Sequence, residues 1–267
     1  MKTKLTLLST VVAGAMLAGS PAMAQSDLLQ GWSGSAGLGI LFTTGNSETE
    51  NFNASINISK EQGVWRHSAF GSAFRADNND ELTANRYDLG YKLDRNFSDT
   101  VYGFGRLRAD TDDFGNIDSR VTGVVGVGKQ FFDDGKQAFS AEIGIGATDT
   151  NFIIQGLDGP APDPDAVDAN GLPVVNAQGI DDDAGAVLYG SARYSNLIND
   201  NLTFNSIFSF EAADVNTLTV WDNSLNVSLS ERISLIFGIL TRNNSDIEGA
   251  LGDNTDTATR LNIAVGL

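Results

Sequence analysis

The chain closes on Asp256 to Leu267, which reads DTATRLNIAVGL. Thr259, Leu261, Ile263, Val265 and Leu267 share one parity; Ala258, Arg260, Asn262, Ala264 and Gly266 share the other. A period of two that separates an apolar face from a small or polar one is the pattern of a β-strand with hydrocarbon on one side. Such a strand, with no sequence after it, needs a hydrogen-bonded neighbour, and in a closed barrel the first strand supplies it. The expected fold is all-β: a closed up-and-down antiparallel transmembrane β-barrel.

Working back from that stretch, the same grammar recurs in about 12 strands, most of the length a tilted strand needs to cross a bilayer. They are read at roughly 32–43, 51–60, 64–75, 85–95, 101–110, 120–131, 138–149, 185–197, 202–210, 217–228, 233–242 and 257–267. The clearest alternations set Phe52, Ala54, Ile56 and Ile58 against Asn53, Ser55, Asn57 and Ser59, and Tyr87, Leu89, Tyr91 and Leu93 against Arg86, Asp88, Lys92 and Asp94. A helix would mix those faces.

The connections alternate in length. Short ones fall near Glu61 to Gly63, Asn96 to Thr100, Asp133 to Lys136, Asn199 to Asn201 and Leu229 to Arg232; long ones near 44–50, 76–84, 111–119, 150–184, 211–216 and 243–256. Short turns at one end and long loops at the other is the outer-membrane pattern, with both termini on the short-turn, periplasmic side. The long loops hold 21 Asp and Glu and no Lys or Arg. By contrast, Lys60, Arg66, Arg95 and Lys129 are expected on the lipid-facing parity at the short-turn ends, where they can snorkel to headgroups. Trp32, Trp65, Phe97, Phe131 and Phe132 gather there as an interfacial girdle.

Met1 to Ala24 carries Lys2 and Lys4, an apolar core and a small-residue Ala22-Met23-Ala24 site, the features of a cleaved signal peptide. The expected organisation is a signal peptide at 1–24, a short periplasmic segment at 25–31, and a barrel at 32–267 with a long acidic surface loop near 150–184. The expected location is the outer membrane of a Gram-negative cell. The 267 residues include no cysteine, which excludes disulfides and thiolate metal sites. The net charge of −17, more negative once Lys2 and Lys4 leave, repels nucleic acid. Expected partners are membrane lipids, lipopolysaccharide and the barrel-assembly machinery, with divalent cations at the acidic loops.

The stretches GWSGSAGLGILFTTGNSET from Gly31, RYDLGYKLDRNFSDTVYGFGRLRADTDDFGN from Arg86, LSERISLIFGILTRNNS from Leu229 and DNTDTATRLNIAVGL from Asp253 resemble the salt-induced outer-membrane protein family. Its most specific pieces here are Trp32 with the Thr44-Gly45-Asn46-Ser47 turn, and the Arg86-Tyr87 strand. The resemblance covers most of the chain after the signal peptide. It implies an outer-membrane barrel of unknown molecular function, regulated by salinity, and supplies no catalytic or ligand residue.

Enzymatic chemistry has little to work with. The single histidine, His67, is expected at the periplasmic end of the third strand on the inward parity, where neither a lipase nor a surface protease would use it. Asp163, Asp165, Asp168, Asn170 and Gly171 evoke a calcium loop, but Val167 occupies a ligand position and no terminal glutamate follows. Glycines at Gly37, Gly39 and from Gly123 to Gly128 lie within strands, so they suit barrel curvature rather than phosphate. No enzyme activity and no cofactor are expected.

The interior arginines are the strongest functional clue. With Arg86 inward, parity places Arg75, Arg106, Arg108, Arg120, Arg193, Arg242 and Arg260 inward, with Asp88, Asp94, Asp110, Glu142 and Glu211 as interior partners. The candidate pore-lining set is Arg75, Arg86, Asp88, Arg106, Arg108, Asp110, Arg120, Glu142, Arg242 and Arg260. Two readings stay open: an arginine-lined passive channel, or an ion-pair network that fills a non-conducting structural or surface-interaction barrel in envelope stress adaptation. A count of twelve strands lies between filled and open barrels and does not decide.

Overall fold

Alternating side chains become a barrel when each strand finds neighbours on both edges, because only closure leaves no backbone N–H or C=O unpaired in hydrocarbon. The computed structural model describes residues 30–43, 49–78, 81–112, 117–153, 180–214, 216–245 and 255–267. The signal peptide, the Thr44 to Ser47 turn and the calcium-like stretch from Asp163 lie outside the described residues. Ser33 to Leu267 forms one unit of twelve strands: β1 (Ser33–Thr43), β2 (Thr49–Gln62), β3 (Trp65–Asn78), β4 (Glu81–Asn96), β5 (Val101–Asp112), β6 (Ile117–Asp133), β7 (Gln137–Ile153), β8 (Ile180–Asn199), β9 (Leu202–Ala213), β10 (Thr217–Ser228), β11 (Ile233–Asn244) and β12 (Thr255–Gly266).

Each strand pairs antiparallel with its sequence neighbours, and β12 returns to β1 through Ser35↔Gly266 to Leu38↔Ile263, so the sheet closes. The expected twelve-stranded antiparallel barrel is the observed fold. Where the sequence reading and the structure differ is at the long-loop ends, which pair further than the lipid-facing alternation reaches. For example, β8 starts at Ile180 rather than near 185, matched against Ile153 of β7. Ladder hydrogen bonds need no apolar side chain, so strands continue past the bilayer into segments that composition reads as loop.

Side chains sort by parity as in a membrane barrel. Ile145, Leu89 and Val125 stand 67%, 65% and 64% exposed on the outer wall, whereas Asp112 and Ile117 are fully buried inside. The short turns are built by local chemistry. Gly63 and Gly135 take φ of 62° and 81°, the left-handed region that glycine enters without strain. The Asp134 carboxylate accepts the backbone N–H groups of Gln137 (2.6 Å) and Lys136 (2.8 Å), bonds that lower its pKa.

One strand is turned relative to expectation. The register Gln62↔Trp65, Glu61↔Arg66 and Arg66↔Asp94 puts Arg66 inside the barrel, and Lys60↔His67 and Phe52↔Arg75 put His67 and Arg75 on the outer wall. Arg75 therefore leaves the candidate pore-lining set; its guanidinium pairs with Asp77 at 3.0 Å and its side chain is 56% exposed. The cause is the two-residue turn Gly63-Val64, which forces Trp65 to the side of Gln62. The larger Phe70 and Phe74 point inward on this strand, while Ala69, Gly71 and Ala73 face lipid.

Candidate functional site

The outer half of the interior is tied together by inward residues of six strands, β4, β5, β6, β9, β11 and β12. In the outer half, Arg108 on β5 reaches Asp88 on β4 (2.5 Å), Asp110 beside it (3.4 Å) and Glu211 on β9 (3.1 Å). Asp110 also receives Arg120 of β6 at 2.6 Å and Arg242 of β11 at 3.1 Å. Arg242 contacts Asp112 at 3.4 Å; Arg86 of β4 contacts the same carboxylate at 3.1 Å and Asp256 of β12 at 2.5 Å. Arg106 holds the second oxygen of Glu211 at 2.5 Å.

These bridges join one network of five arginines (Arg86, Arg106, Arg108, Arg120, Arg242) and five carboxylates (Asp88, Asp110, Asp112, Glu211, Asp256), which is neutral as a whole. A buried charge is tolerated only when paired, and equal numbers of each sign meet that condition. Six positions of strand order separate β5 from β11, so they face each other across the lumen, and the Asp110–Arg242 bridge spans it. Asp110, Arg108, Arg120, Glu211 and Arg242 are all buried. Ile117, Leu218 and Thr122 pack the same level without exposure above 2%.

Beneath this septum lies an apolar patch inside the barrel, Phe104, Val124, Val187 and Tyr189, with Phe104 and Tyr189 packed edge to face at 5.8 Å. Arg106 crosses it, stacked on Tyr189 and Phe70 at 5.2 and 5.6 Å. Below again, a vestibule of about 720 Å³ occupies the short-turn half of the lumen. Its deep wall is centred on Glu142, which accepts Lys92 (2.6 Å), the Tyr102 hydroxyl (2.7 Å) and the Tyr189 hydroxyl (3.4 Å). Lys92 also pairs with Asp94 at 2.6 Å. Arg193 stands on the vestibule wall, and Arg66 pairs with Glu61 at its lower edge. Arg260 pairs separately with Asp222 of β10.

Of the candidate set, Arg86, Asp88, Arg106, Arg108, Asp110, Arg120, Glu142, Arg242 and Arg260 point inward and each is ion-paired. His67 stands on the outer wall, sharing a 2.6 Å hydrogen bond with the Tyr91 hydroxyl.

A family model described as "Protein of unknown function, DUF481" matches residues 36–267. The chain belongs to the DUF481 family. That bears out the resemblance to a domain family of unknown function. The uncharacterized protein YdiY of Escherichia coli (strain K12) is 23% identical over 239 residues, covering 88% of this chain and 82% of that protein. Among solved structures, the barrel is similar to the NanC porin (11% identity, 88% of this chain and 97% of that one, TM-score 0.43). It is also similar to the translocator domain of the autotransporter NalP from Neisseria meningitidis (11% identity, 98% and 96%, TM-score 0.46).

In this DUF481 chain the sequence reading assigned no luminal role to Asp112, Asp222, Asp256, Tyr102 or Tyr189. Asp112 and Asp256 sit in stretches that composition marks as loops. Parity could have found the tyrosines, since Tyr102 shares a face with Arg106 and Arg108, and Tyr189 shares one with Arg193.

Proposed function

We propose that this DUF481 protein is an outer-membrane barrel whose lumen is shut by the ion-pair septum, so that it serves the envelope as a non-conducting, non-enzymatic structural barrel. The observation that carries the reading is the Asp110–Arg242 bridge between opposite walls, within a neutral network in which Arg86, Arg106, Arg108, Arg120 and Arg242 are each held by a carboxylate. The apolar outer wall and aromatic rim support placement in a bilayer, and the signal-peptide features at Met1 to Ala24 support export to the outer membrane. Buried pairs are screened far less by salt than exposed ones. The closure therefore persists at high ionic strength, which suits the salt-linked regulation that the family resemblance implies.

A second reading, a gated passive channel, draws on the preformed vestibule, which supplies half of a conduction path below the septum. Planar-bilayer recording separates the two. The closed barrel gives no discrete steps in the wild type at neutral pH. Steps in the wild type, at rest or under an applied voltage, would overturn it in favour of the gated reading, and steps that appear only when Asp110 and Arg242 are both replaced by serine would show that the septum is what shuts the lumen.

A further inference from the structure

The outer wall carries a groove of about 470 Å³ near the short-turn rim. Its floor is Gly103 and Gly105, both on the outward parity of β5. A Cβ built on Gly105 meets nothing within 4 Å, so the space above it is open. The walls are set by register: Leu93 and Val125 flank Gly105, and Arg95 and Val127 flank Gly103. At the rim the Phe97 ring lies close over Gly103, and at the other end Leu107 rises as the next outward residue of β5. The trench therefore runs along the strand from the interface toward the middle of the hydrocarbon.

Charge at its mouth is uncompensated. The Arg95 guanidinium lies 5.7 Å from both the Trp65 and Phe97 ring centroids, and the Lys129 ammonium 5.3 Å from that of Phe131. Neither makes a salt bridge among the described residues, whereas each arginine of the septum does. Arg95 is level with Val127, and Lys129 is the next outward residue of β6 toward the rim, two strand spacings (about 10 Å) across and about 7 Å along, a gap two long side chains can close on one headgroup. An apolar trench with one unneutralised cation, Arg95, in its wall and a second, Lys129, beyond its rim end is complementary to an acyl chain ending in a phosphate.

We propose that this groove binds an anionic phospholipid, one acyl chain over the open Gly105 floor between Leu93 and Val125 and the phosphate at Arg95, with Lys129 reaching it from the rim. The assignment rests on the reading of the chain as a membrane barrel. Its test is native mass spectrometry of the detergent-purified protein titrated with phosphatidylglycerol or phosphatidylcholine. One phosphatidylglycerol is expected to stay bound at collision energies that strip phosphatidylcholine. Arg95→Gln and Lys129→Gln, which leave the packing intact, should each weaken retention about fivefold. Gly105→Leu should fill the trench and weaken both lipids. Equal retention of the two lipids by the wild type, or phosphatidylglycerol retention unchanged by Arg95→Gln and Lys129→Gln, would overturn the site. A chain that fails to show distinct boiled and unboiled gel mobilities would instead refute the membrane-barrel reading beneath it.

Discussion

Arg242 on β11 and Asp110 on β5 stand on opposite walls of the barrel and meet at 3.1 Å across its lumen. Asp110 also holds Arg120 and Arg108, so it is the node through which both walls are tied. Removing one member of a buried network leaves charges without partners. Replacing Asp110 with Ala should destabilise the barrel by about 3 to 5 kcal/mol, read as a lower temperature for loss of the unboiled gel band. The double replacement of Asp110 and Arg242 by serine should cost less than the sum of the singles. Strict additivity would mean that the cross-lumen bridge carries no coupling.

The turned third strand separates two arginines that the sequence reading had grouped. Arg75 pairs with Asp77 on the outer wall, whereas Arg108 is buried with three carboxylates. An exposed pair contributes about 0 to 1 kcal/mol, so Arg75→Ser should leave thermal stability nearly unchanged. Arg108→Ser should lower it by about 3 to 5 kcal/mol. Equal losses in the two variants would return Arg75 to the interior.

Closure between the first and last strands is directly testable because the chain has no native cysteine. Leu38 and Ile263 are register partners on the outer wall of the β1–β12 seam. Opposed residues of antiparallel strands hold their Cα atoms about 4.5 to 5.5 Å apart, inside the range a disulfide spans. The Leu38→Cys, Ile263→Cys double variant should oxidise to an intramolecular crosslink in the folded state. A seam that stays reduced under mild oxidation, while Leu38→Cys with Ala54→Cys crosslinks, would show β1 and β12 apart.

What the sequence made legible was what repeats along one chain: strand order, turn lengths and the two-residue period. Those depend on neighbours in sequence, and Asp256 to Leu267 alone contains the rule. The third strand runs against its own pattern because its bulky residues, Phe70 and Phe74, point into the lumen and its small ones to lipid, reversing the usual cue. The two-residue turn at Gly63 and Val64, traced from Ile56 and Ile58, would have corrected it. The septum was legible only as an inventory of charges. Which carboxylate meets which arginine depends on barrel curvature, and the meeting of β5 with β11 leaves no trace in either strand's own pattern. The luminal patch of Phe104, Val124, Val187 and Tyr189 was missed for a similar reason: three separate strands supply it.

The lower lumen gives an independent check on how the network is layered. Glu142 is held by Lys92 and by two tyrosine hydroxyls, and Lys92 stacks over Tyr102 and Phe104 at 5.1 and 5.0 Å. Lys92→Met keeps the stem packed but leaves Glu142 and Asp94 facing each other without their cation. It should destabilise more than Glu142→Gln, which keeps both hydroxyl partners and removes a charge. A reversed order in thermal melts would mean that the Glu142 carboxylate is held chiefly by groups other than Lys92, the two hydroxyls and the neighbouring Arg193 on the vestibule wall.

The connection between β7 and β8 yields the last prediction, because the ladder fixes what can be removed. Ile153 and Ile180 are register partners, and pairing continues inward through Thr150↔Asp183. The ends of the connection are thus held side by side, and a few residues suffice to join them. The long acidic surface loop expected near 150–184 overlaps β8, because the register shows that Ile180 to Asp183 belong to that strand and must stay. Replacing residues 155–178 with a short Gly-Asn linker should leave insertion and the boiled-to-unboiled mobility difference intact. It also removes Asp158, Asp163, Asp165 and Asp168, and so should weaken calcium association measured by isothermal titration. Failure of the shortened chain to insert would show that the connection takes part in assembly. Unchanged calcium binding in an inserted barrel would move the cation-associating charge to the other acidic connections.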